Sequence, residues 1–282
     1  MKIINLYKIK LFFKNIVFVI LMLVFIIINL SCHEKIYVTL TSWKGRINFI
    51  HKNLKSLLNN TIKPNKIILN LAIEEFPRKY LELPKELLIL LKENKNLKIY
   101  WVKKNNFVFK KLIPTINKYK NGLIISVDDD ILYPKNAFEN MLNCYYSLGA
   151  NTPVSFGTSS TDWDINGTII NSHYGRGSIV KYKYFNNKIN EIYKKTTKDD
   201  IYKGIKYPDD PLYTYAALLN GYKYIRCKNY YIKINNYISN KLMKPYGKEY
   251  IYHSKNYHFL IQNYIKNKYN ITIEKLIEKI HK

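Results

Sequence analysis

The chain has 282 residues, enough for one globular domain with elaborations or at most two domains. Hydrophobic residues make up 47% of it, so it can bury a proper core, and its formal net charge is +26. This charge would permit binding to nucleic acid or to an anionic membrane. The lysines are spread along both halves without a compact Arg-rich arm. We therefore interpret most of the charge as solvated surface and expect no nucleic-acid partner.

The N-terminal 35 residues differ from the rest. Four lysines precede an uncharged stretch over residues 15–32 that is almost wholly aliphatic or aromatic in its centre. As a helix this stretch is barely long enough to cross a hydrocarbon core. We predict a single membrane anchor within residues 1–35, in a bacterial inner membrane. A cleaved signal, or a lipoprotein signal processed at Cys32, is the alternative. A buried core helix is a weaker one, and lysines on both sides leave the orientation open.

Strands and helices alternate from residue 36 onward. Strands are predicted over 36–40, 66–71, 97–102 and 123–127, and helices over 46–58, 84–91 and about 114–120. Strands separated by helical patterns imply βαβ units, hence an α/β fold with a mostly parallel sheet flanked by helices.

Shorter elements are predicted in the second half. Asn166-Gly167 between two short apolar runs is typical of a β-hairpin. A helix over 212–220 should end at Gly221 and lead into a strand over 222–226. Two basic, Tyr-rich helices are predicted over 256–268 and 272–282. Nothing marks a boundary between independent domains after residue 36.

The cysteines carry little information. Cys32, Cys144 and Cys227 match neither a disulfide framework nor a zinc-ligand spacing.

The most informative segment is an acidic triplet. A short apolar run over residues 123–127 leads directly into Asp128, Asp129 and Asp130. Adjacent like charges are tolerated best where a cation neutralises them. Carboxylate oxygens are the ligands that Mg²⁺ and Mn²⁺ prefer. The triplet therefore favours a divalent-cation site, and a polar turn at a strand end is the simpler alternative.

A second polar group is expected at the same edge of the sheet. Thr39, Thr41 and Ser42 lie at the end of the first predicted strand, and the triplet follows the fourth. In open α/β sheets, ligands collect beyond the carboxyl ends of the strands. Two sets of polar residues at the same edge of the sheet favour a binding site there more than either set alone.

The order of these pieces resembles a GT-A-fold glycosyltransferase of the family 2-like group. Residues 37–47 resemble the first strand and nucleotide loop of small bacterial members, and residues 59–69 the approach to their second strand. Residues 127–130 resemble their D-x-D motif, and Asp209-Asp210 before a helix resembles their catalytic acidic pair. The likeness spans residues 36–225, and the chain lacks the Q-x-x-R-W sequence of processive synthases.

The resemblance implies metal-dependent sugar transfer from a UDP- or GDP-sugar to a glycan or lipid-linked acceptor. It implies that Asp130 and Asp128 hold Mn²⁺ or Mg²⁺ and that Asp210 is the base of an inverting reaction, with Asp209 beside it. Residues expected to contact the nucleotide-sugar are Thr39, Thr41, Ser42, Arg46, Asp128 and Asp129. The resemblance also divides the domain over 36–282 into a nucleotide-binding half (36–133), an acceptor half (134–230) and a helical C-terminal extension (231–282).

Several further residues are weaker candidates. Arg46 with Lys110 or Lys111 is a candidate to neutralise the diphosphate. Candidates for stacking on sugar or base are Trp43, Trp163 and Tyr174, and candidates for an added metal ligand are His253 and His258. For all of these, surface or core roles are at least as common.

Three alternatives remain open. A non-catalytic binding module of the same fold would keep the triplet for a cation without turnover. A basic nucleic-acid-binding protein would need clustered cations and interleaved aromatics. A nucleotidyltransferase would usually offer a Gly-rich loop after the first strand, whereas residues 41–46 contain only Gly45.

Overall fold

The computed structural model describes residues 34–156, 177–196, 209–227 and 259–281, with isolated positions at 16, 20, 22, 164–165, 168–169 and 235–236. By its internal contacts the chain divides into two compact units, Met1–Lys35 and Ile36–Lys282. In the first unit, Ile16, Ile20 and Met22 are helical and exposed. Within the described residues, no helix combines the length and apolar character needed to cross a membrane. The predicted anchor over residues 15–32 lies almost wholly outside them and stays a prediction.

The second unit is built on a seven-stranded mixed sheet. The strands of the described residues are β1 (Ile36–Thr41), β2 (Lys66–Ala72), β3 (Leu97–Val102), β4 (Leu123–Ser126), β5 (Ile131–Leu132), β6 (Val154–Ser155), β7 (Asp164–Ile165), β8 (Thr168–Ile169), β9 (Ser178–Val180), β10 (Ile225–Arg226) and β11 (Asn235–Asn236). The order in the sheet is β10-β6-β9-β4-β1-β2-β3. All neighbouring pairs are parallel except those of β9, which runs antiparallel to both β4 and β6.

Helices flank this sheet. They are α1 (Ile50–Leu58), α2 (Lys85–Glu93), α3 (Ile113–Lys118), α4 (Ala137–Ser147), α5 (Tyr182–Phe185), α6 (Lys188–Thr196), α7 (Asp210–Leu219), a helical stretch over 259–269, and α8 (Ile273–His281). Helix α1 shows why they form: Ile50, Leu54 and Leu57 recur at helical spacing and are buried, whereas Lys52 and Lys55 face solvent.

The predicted alternation of strands and helices is confirmed over residues 36–126. Strand β3 has the predicted bounds, and the helix expected from residue 46 begins as a 3-10 turn, Ile47–Phe49, before α1. The hairpin around residues 166–167 is confirmed by the antiparallel pairing of β7 and β8. Helix α7 ends just before Gly221, whose φ of +82° suits glycine.

A topological switch point lies between β1 and β4. The chain passes from β1 to β2 on one side, and β4 pairs in parallel with β1 on the other. The chain segments that leave β1 and β4 therefore emerge side by side beyond the carboxyl ends of these parallel strands. This is where open α/β sheets form a ligand crevice.

The sequence-based interpretation of the cysteines was wrong. Cys144 of α4 and Cys227, directly after β10, form a disulfide with a Cα–Cα distance of 6.3 Å. Their separation of 83 residues gives no local signal, because only the sheet brings them together. The Cys227 amide donates to the Ser155 carbonyl at 2.9 Å, which sets the end of β10 beside β6.

The helical stretch 259–269 packs against α6 and α7. Glu191 of α6 accepts hydrogen bonds from Tyr264 at 2.8 Å, from Lys268 at 2.5 Å and from Tyr269. Burial opposes ionisation, but these donors lower the pKa of Glu191 to about 2. Gln262 also donates to the Tyr215 hydroxyl of α7 at 2.8 Å. The described part of the C-terminal extension thus supports the helix that begins at Asp210.

Candidate active site

The acidic triplet lies in a tight turn directly after β4. The Val127 amide still donates to the Thr39 carbonyl of β1 at 3.0 Å, so the turn starts at the edge of the sheet. The side-chain amide of Asn53, on α1, donates to the carbonyls of Asp128 at 2.8 Å and Ile131 at 2.6 Å. The Asp128 amide donates to the Tyr133 hydroxyl at 3.1 Å. These contacts satisfy the polar backbone of the turn and fix its shape.

Asp129 is held by the loop that follows β1. Ser42 Oγ donates to Asp129 Oδ2 at 2.7 Å, and Arg46 Nη1 donates to Asp129 Oδ1 at 2.7 Å. The same guanidinium nitrogen lies 3.1 Å from Asp130 Oδ2. Burial alone would lower the pKa of Arg46, but Asp129 and Asp130 raise it. Arg46 therefore stays charged and joins the β1 loop to the triplet.

Lys111 connects the triplet to the acidic pair Asp209-Asp210. Its ammonium lies 3.1 Å from Asp128 Oδ1 and 3.2 Å from Asp209 Oδ2. Its carbonyl accepts hydrogen bonds from Thr39 at 2.5 Å and from Asn70 at 3.2 Å, so both ends of the residue are anchored. Lys111 is buried, which by itself would lower its pKa, but Asp128 and Asp209 raise it well above the usual value.

Asp209 and Asp210 lie at the start of α7, both buried. Asp209 occupies the N-cap position, but its side chain makes no capping hydrogen bond and pairs with Lys111 instead. Burial raises the pKa of Asp209, and Lys111 opposes that shift. The pKa of Tyr213, one turn further along α7, is raised by burial and by the charges of Asp209 and Asp210. The carboxylate of Asp209 is thus directed toward the triplet and not into a cap.

The edge of the sheet around the triplet and the start of α7, called the acidic rim below, carries more negative than positive charge. Five described carboxylates, Asp128, Asp129, Asp130, Asp209 and Asp210, interact with two described cations at its centre, Arg46 and Lys111. Burial, with the charges of Asp128 and Asp129, raises the pKa of Asp130 to about 6. Burial also raises the pKa of Asp129. A divalent cation would relieve this repulsion, and the oxygen donors are of the right chemistry.

The side chains do not converge as a ready ligand set. Within the described residues, no group of three or more His, Cys, Asp and Glu side chains is arranged to hold a metal ion. The protein's own cations occupy carboxylate oxygens of all three triplet residues. The charge of the rim therefore fits a cation, while its side chains are paired with Arg46 and Lys111.

The remaining residues predicted to contact nucleotide-sugar fall into two groups. Ser42 and Arg46 meet the triplet, as described above. Thr39 is fully buried, and its hydroxyl contacts the Lys111 carbonyl and the Thr115 hydroxyl, so it supports the site from the core. Thr41 is partly buried and donates to the Asn70 carbonyl at 2.8 Å.

The weaker candidates are dispersed. Lys110 is buried and pairs with Glu75 at 2.9 Å, not with the acidic triplet. Trp43 is exposed in the loop that follows β1, with Gly45 so close to its ring that a Cβ there would collide with it. Trp163, Tyr174, His253 and His258 lie outside the described residues.

Two supporting residues were missed from the sequence. Asn53 and Tyr133 hold the turn of the triplet through hydrogen bonds that connect separate elements. Lys111 was considered only as a partner for diphosphate, whereas it bridges two acidic groups. An asparagine inside a helix and a tyrosine after a strand carry no local signal for these contacts.

Comparison with known proteins gives structural matches only. No protein-family model and no curated protein matches this sequence. The S. aureus protein TarS 1–349 in complex with UDP superposes with a TM-score of 0.52 at 12% identity, over 87% of this chain and 69% of that one. A second S. aureus TarS structure gives 0.50 at 14% identity, over 88% of this chain and 42% of that one. The chain thus spans less than half of that structure's length.

A third match has a lower TM-score. The mannosyltransferase from Pyrobaculum calidifontis, solved with GDP-Man and Mn²⁺, superposes at 12% identity with a TM-score of 0.46, over 71% of this chain and 56% of that one. At these identities the two TarS superpositions establish the fold alone. The chain has the GT-A-like fold of glycosyltransferases.

Proposed function

We propose that this chain, which has the GT-A-like fold of glycosyltransferases, transfers a sugar from a nucleotide-sugar to a glycan or lipid-linked acceptor. The observation that carries the proposal is the acidic turn Asp128–Asp130 at the switch point between β1 and β4. Arg46 holds this turn on one side and Lys111 on the other. A rim of carboxylates with two fixed cations suits a metal-bridged diphosphate better than it suits an uncharged ligand.

The donor end of the reaction belongs to the triplet. Asp128 and Asp130 would hold Mn²⁺ or Mg²⁺, which when bound stabilises charge on the departing diphosphate as a Lewis acid. Asp129, fixed by Ser42 and Arg46, orients the β1 loop toward the nucleotide. The fold shared with TarS, which has been solved with UDP, supports a nucleotide donor, and we propose UDP- or GDP-sugars.

The acceptor end belongs to the start of α7. An acceptor hydroxyl loses a proton as it attacks, and a positioned carboxylate accepts it. We assign this role to Asp210 in an inverting reaction. Asp209, held by Lys111, positions the start of the helix relative to the triplet. Residues 36–133 would then supply the donor site and residues 134–230 the acceptor site.

The location is proposed from the sequence. A membrane anchor within residues 1–35, or a lipid on Cys32, would keep the domain at a bacterial inner membrane. A lipid-linked or surface glycan is the acceptor class that fits such a location.

Calorimetry on the full-length chain tests the donor site. We expect UDP or GDP to bind about tenfold or more tightly with Mn²⁺ than with a chelator, a difference of about 1.4 kcal/mol. Asp130→Ala should abolish most of that difference. Glu93→Ala, an exposed acid at the end of α2, is the matched control and should retain it. Equal affinity in both conditions for every nucleotide would exclude the metal role.

A donor screen separates an enzyme from a binding module of the same fold. UDP-, GDP- and CMP-sugars are incubated with Mn²⁺, and release of the sugar is measured. An enzyme releases sugar from at least one donor, and Asp130→Ala stops it. Metal-dependent binding without any turnover would favour the non-catalytic module.

A further inference from the structure

A cavity of about 220 Å³ lies away from the acidic rim, between the sheet and α3. Its walls include Lys66 and Ile68 of β2, Lys98 and Tyr100 of β3, and Lys118 of α3 with Tyr119 directly after it. Lys66, Ile68, Lys98 and Tyr100 share one face of the sheet, since Ile68 pairs with Lys98 and side chains alternate along a strand. The cavity is therefore a concave site formed by regular elements and not by a loop.

The cavity and the acidic rim lie toward opposite ends of the strands. Thr41, at the carboxyl end of β1, pairs with Asn70 of β2, and Lys66 is the first residue of β2. At about 3.3 Å per residue, Lys66 lies about 13 Å from Asn70 along the strand. None of the residues proposed to bind the donor or the acceptor lines the cavity.

The charge of the cavity is positive and uncompensated. Three of its lining residues are lysines and none is acidic. Within the described part of the chain, no carboxylate forms an ion pair with Lys66, Lys98 or Lys118. Lys111 and Lys110, by contrast, are both paired with acids. Three ammonium groups around one concavity repel each other unless an anion lies between them.

Tyrosine rings hold two of these lysines, Lys66 and Lys118, in place. Lys118 Nζ lies 4.6 Å from the centre of the Tyr100 ring. Lys66 Nζ lies 5.4 Å from the centre of the Tyr119 ring and 3.5 Å from its hydroxyl. Tyr119 in turn stacks on Tyr37 of β1, with ring centres 4.1 Å apart. Cation–π contacts attract an ammonium group without neutralising its charge, so the cations remain available to an anion.

We propose that this cavity is a second binding site, which takes a ligand through a phosphate group. A phosphate group offers several acceptor oxygens to the three ammonium groups. Each lysine ammonium binds phosphate as a compact point charge. The volume is below that of a drug-sized ligand pocket, so one or two phosphate groups with a small neighbouring portion fill it. Ile68 and the rings of Tyr100 and Tyr119 line the apolar side. The site is independent of the proposed sugar transfer.

Binding of inorganic pyrophosphate to the full-length chain tests the site. The titration is made at 0.15 M salt with a chelator present, so that screening suppresses diffuse attraction and no metal recruits pyrophosphate to the acidic rim. We expect one site per chain. The variant Lys66→Gln/Lys98→Gln/Lys118→Gln should bind at least tenfold more weakly. The control Lys55→Gln/Lys85→Gln/Lys92→Gln removes the same charge from exposed positions on α1 and α2 and should bind within about twofold of wild type.

A single substitution guards against misfolding of the triple variant. Lys98 is exposed, so Lys98→Glu leaves the core intact and should still weaken binding several-fold, whereas Lys92→Glu should not. Asp130→Ala should leave pyrophosphate binding unchanged, which separates this site from the donor site. Equal losses in the cavity and control variants, or no binding by wild type, would overturn the proposal.

A second arm identifies the source of the phosphate. Vesicles of phosphatidylcholine with one-fifth phosphatidic acid are compared with pure phosphatidylcholine vesicles, using flotation at the same salt concentration. Recruitment by the acidic vesicles that is lost in the cavity variant and kept in the control variant assigns a lipid headgroup. Pyrophosphate binding without such a difference assigns a soluble phosphate compound. Absence of both would exclude the site.

Discussion

Lys111 and Asp209 come from distant parts of the chain, yet Lys111 Nζ lies 3.2 Å from Asp209 Oδ2. The same ammonium lies 3.1 Å from Asp128. Asp128 belongs to the turn after β4 and Asp209 precedes α7, so one buried cation fixes the distance between the proposed donor and acceptor ends. Within the described residues, the ion pairs of Asp128 and Asp209 are both formed with Lys111, so both carboxylates depend on it.

Lys111→Met should destabilise the protein strongly. The substitution keeps the length of the side chain but leaves the buried carboxylate of Asp209 and the partly exposed carboxylate of Asp128 without their counter-ion. Loss of one partner of a buried pair costs about 3–5 kcal/mol in comparable cases. Lys85→Met, at an exposed position on α2, is the control and should change the free energy of unfolding by less than about 0.5 kcal/mol. Urea denaturation measures both. Adding Asp209→Asn to Lys111→Met should recover part of the loss, and additive losses would show that the pair is not coupled.

The titration of Asp130 should be visible in stability. Its ordinary pKa of 3.8 rises to about 6 through burial and the charges of Asp128 and Asp129, so the folded protein holds this proton more tightly than the unfolded chain. The resulting stability is complete below about pH 4 and is lost as pH rises through about 6. Asp130→Asn should therefore gain stability relative to wild type with rising pH, by up to about 3 kcal/mol. The denaturation series is measured with a chelator present. If the difference in stability between Asp130→Asn and wild type does not change with pH, the raised pKa of Asp130 is contradicted.

Substitutions in the acidic pair distinguish base from positioning residue. Asp210→Asn is nearly isosteric, so we expect the fold and donor binding to persist while transfer falls by about 10²–10⁴-fold. Asp209→Asn removes the charge that faces Lys111. It should therefore lower the free energy of unfolding more than Asp210→Asn does. Steady-state transfer rates and donor affinities are measured for both. Wild-type transfer by Asp210→Asn would place the base elsewhere.

The sequence predicts the framework because its signals are local. Strand β3 and the acidic turn follow from apolar runs, and α7 from a proline and a glycine at its ends. The arrangement of Lys111, Asn53 and the cysteines depends on contacts between distant elements, for which a single sequence carries no periodic signal. Residues 171–202 are predicted to hold loops and short strands, which agrees with β9 but gives neither its position nor the helices α5 and α6 in the same region. The three residues of β9 lie in a region rich in Gly, Asn and Tyr, and the sheet alone stabilises their extended conformation.

The disulfide should contribute measurably to stability. Cross-linking Cys144 to Cys227 restricts the unfolded chain, and loss of such a bond typically costs about 2–5 kcal/mol. Cys144→Ala, Cys227→Ala and the double variant should lose similar amounts of stability, because each removes the same bond. Cys32→Ala is the control and should match wild type. Under a strong reductant, the differences in stability between the variants and wild type should shrink to the packing effects of the substitutions. If the two single substitutions have additive effects under oxidising conditions, the residues do not form a disulfide.

The N-terminal stretch should attach the protein to a membrane. Residues 15–32 are uncharged and follow lysines, so a helix there would barely span the hydrocarbon core and leave the domain from Ile36 close to the lipid surface. Lysines near an anionic leaflet would add about 1 kcal/mol each. We expect the full-length chain to fractionate with membranes and to resist a carbonate wash. Cys32→Ser separates the two modes of attachment: lost retention indicates lipidation, and unchanged retention indicates a spanning helix. Wild-type protein found wholly in the soluble fraction would exclude both.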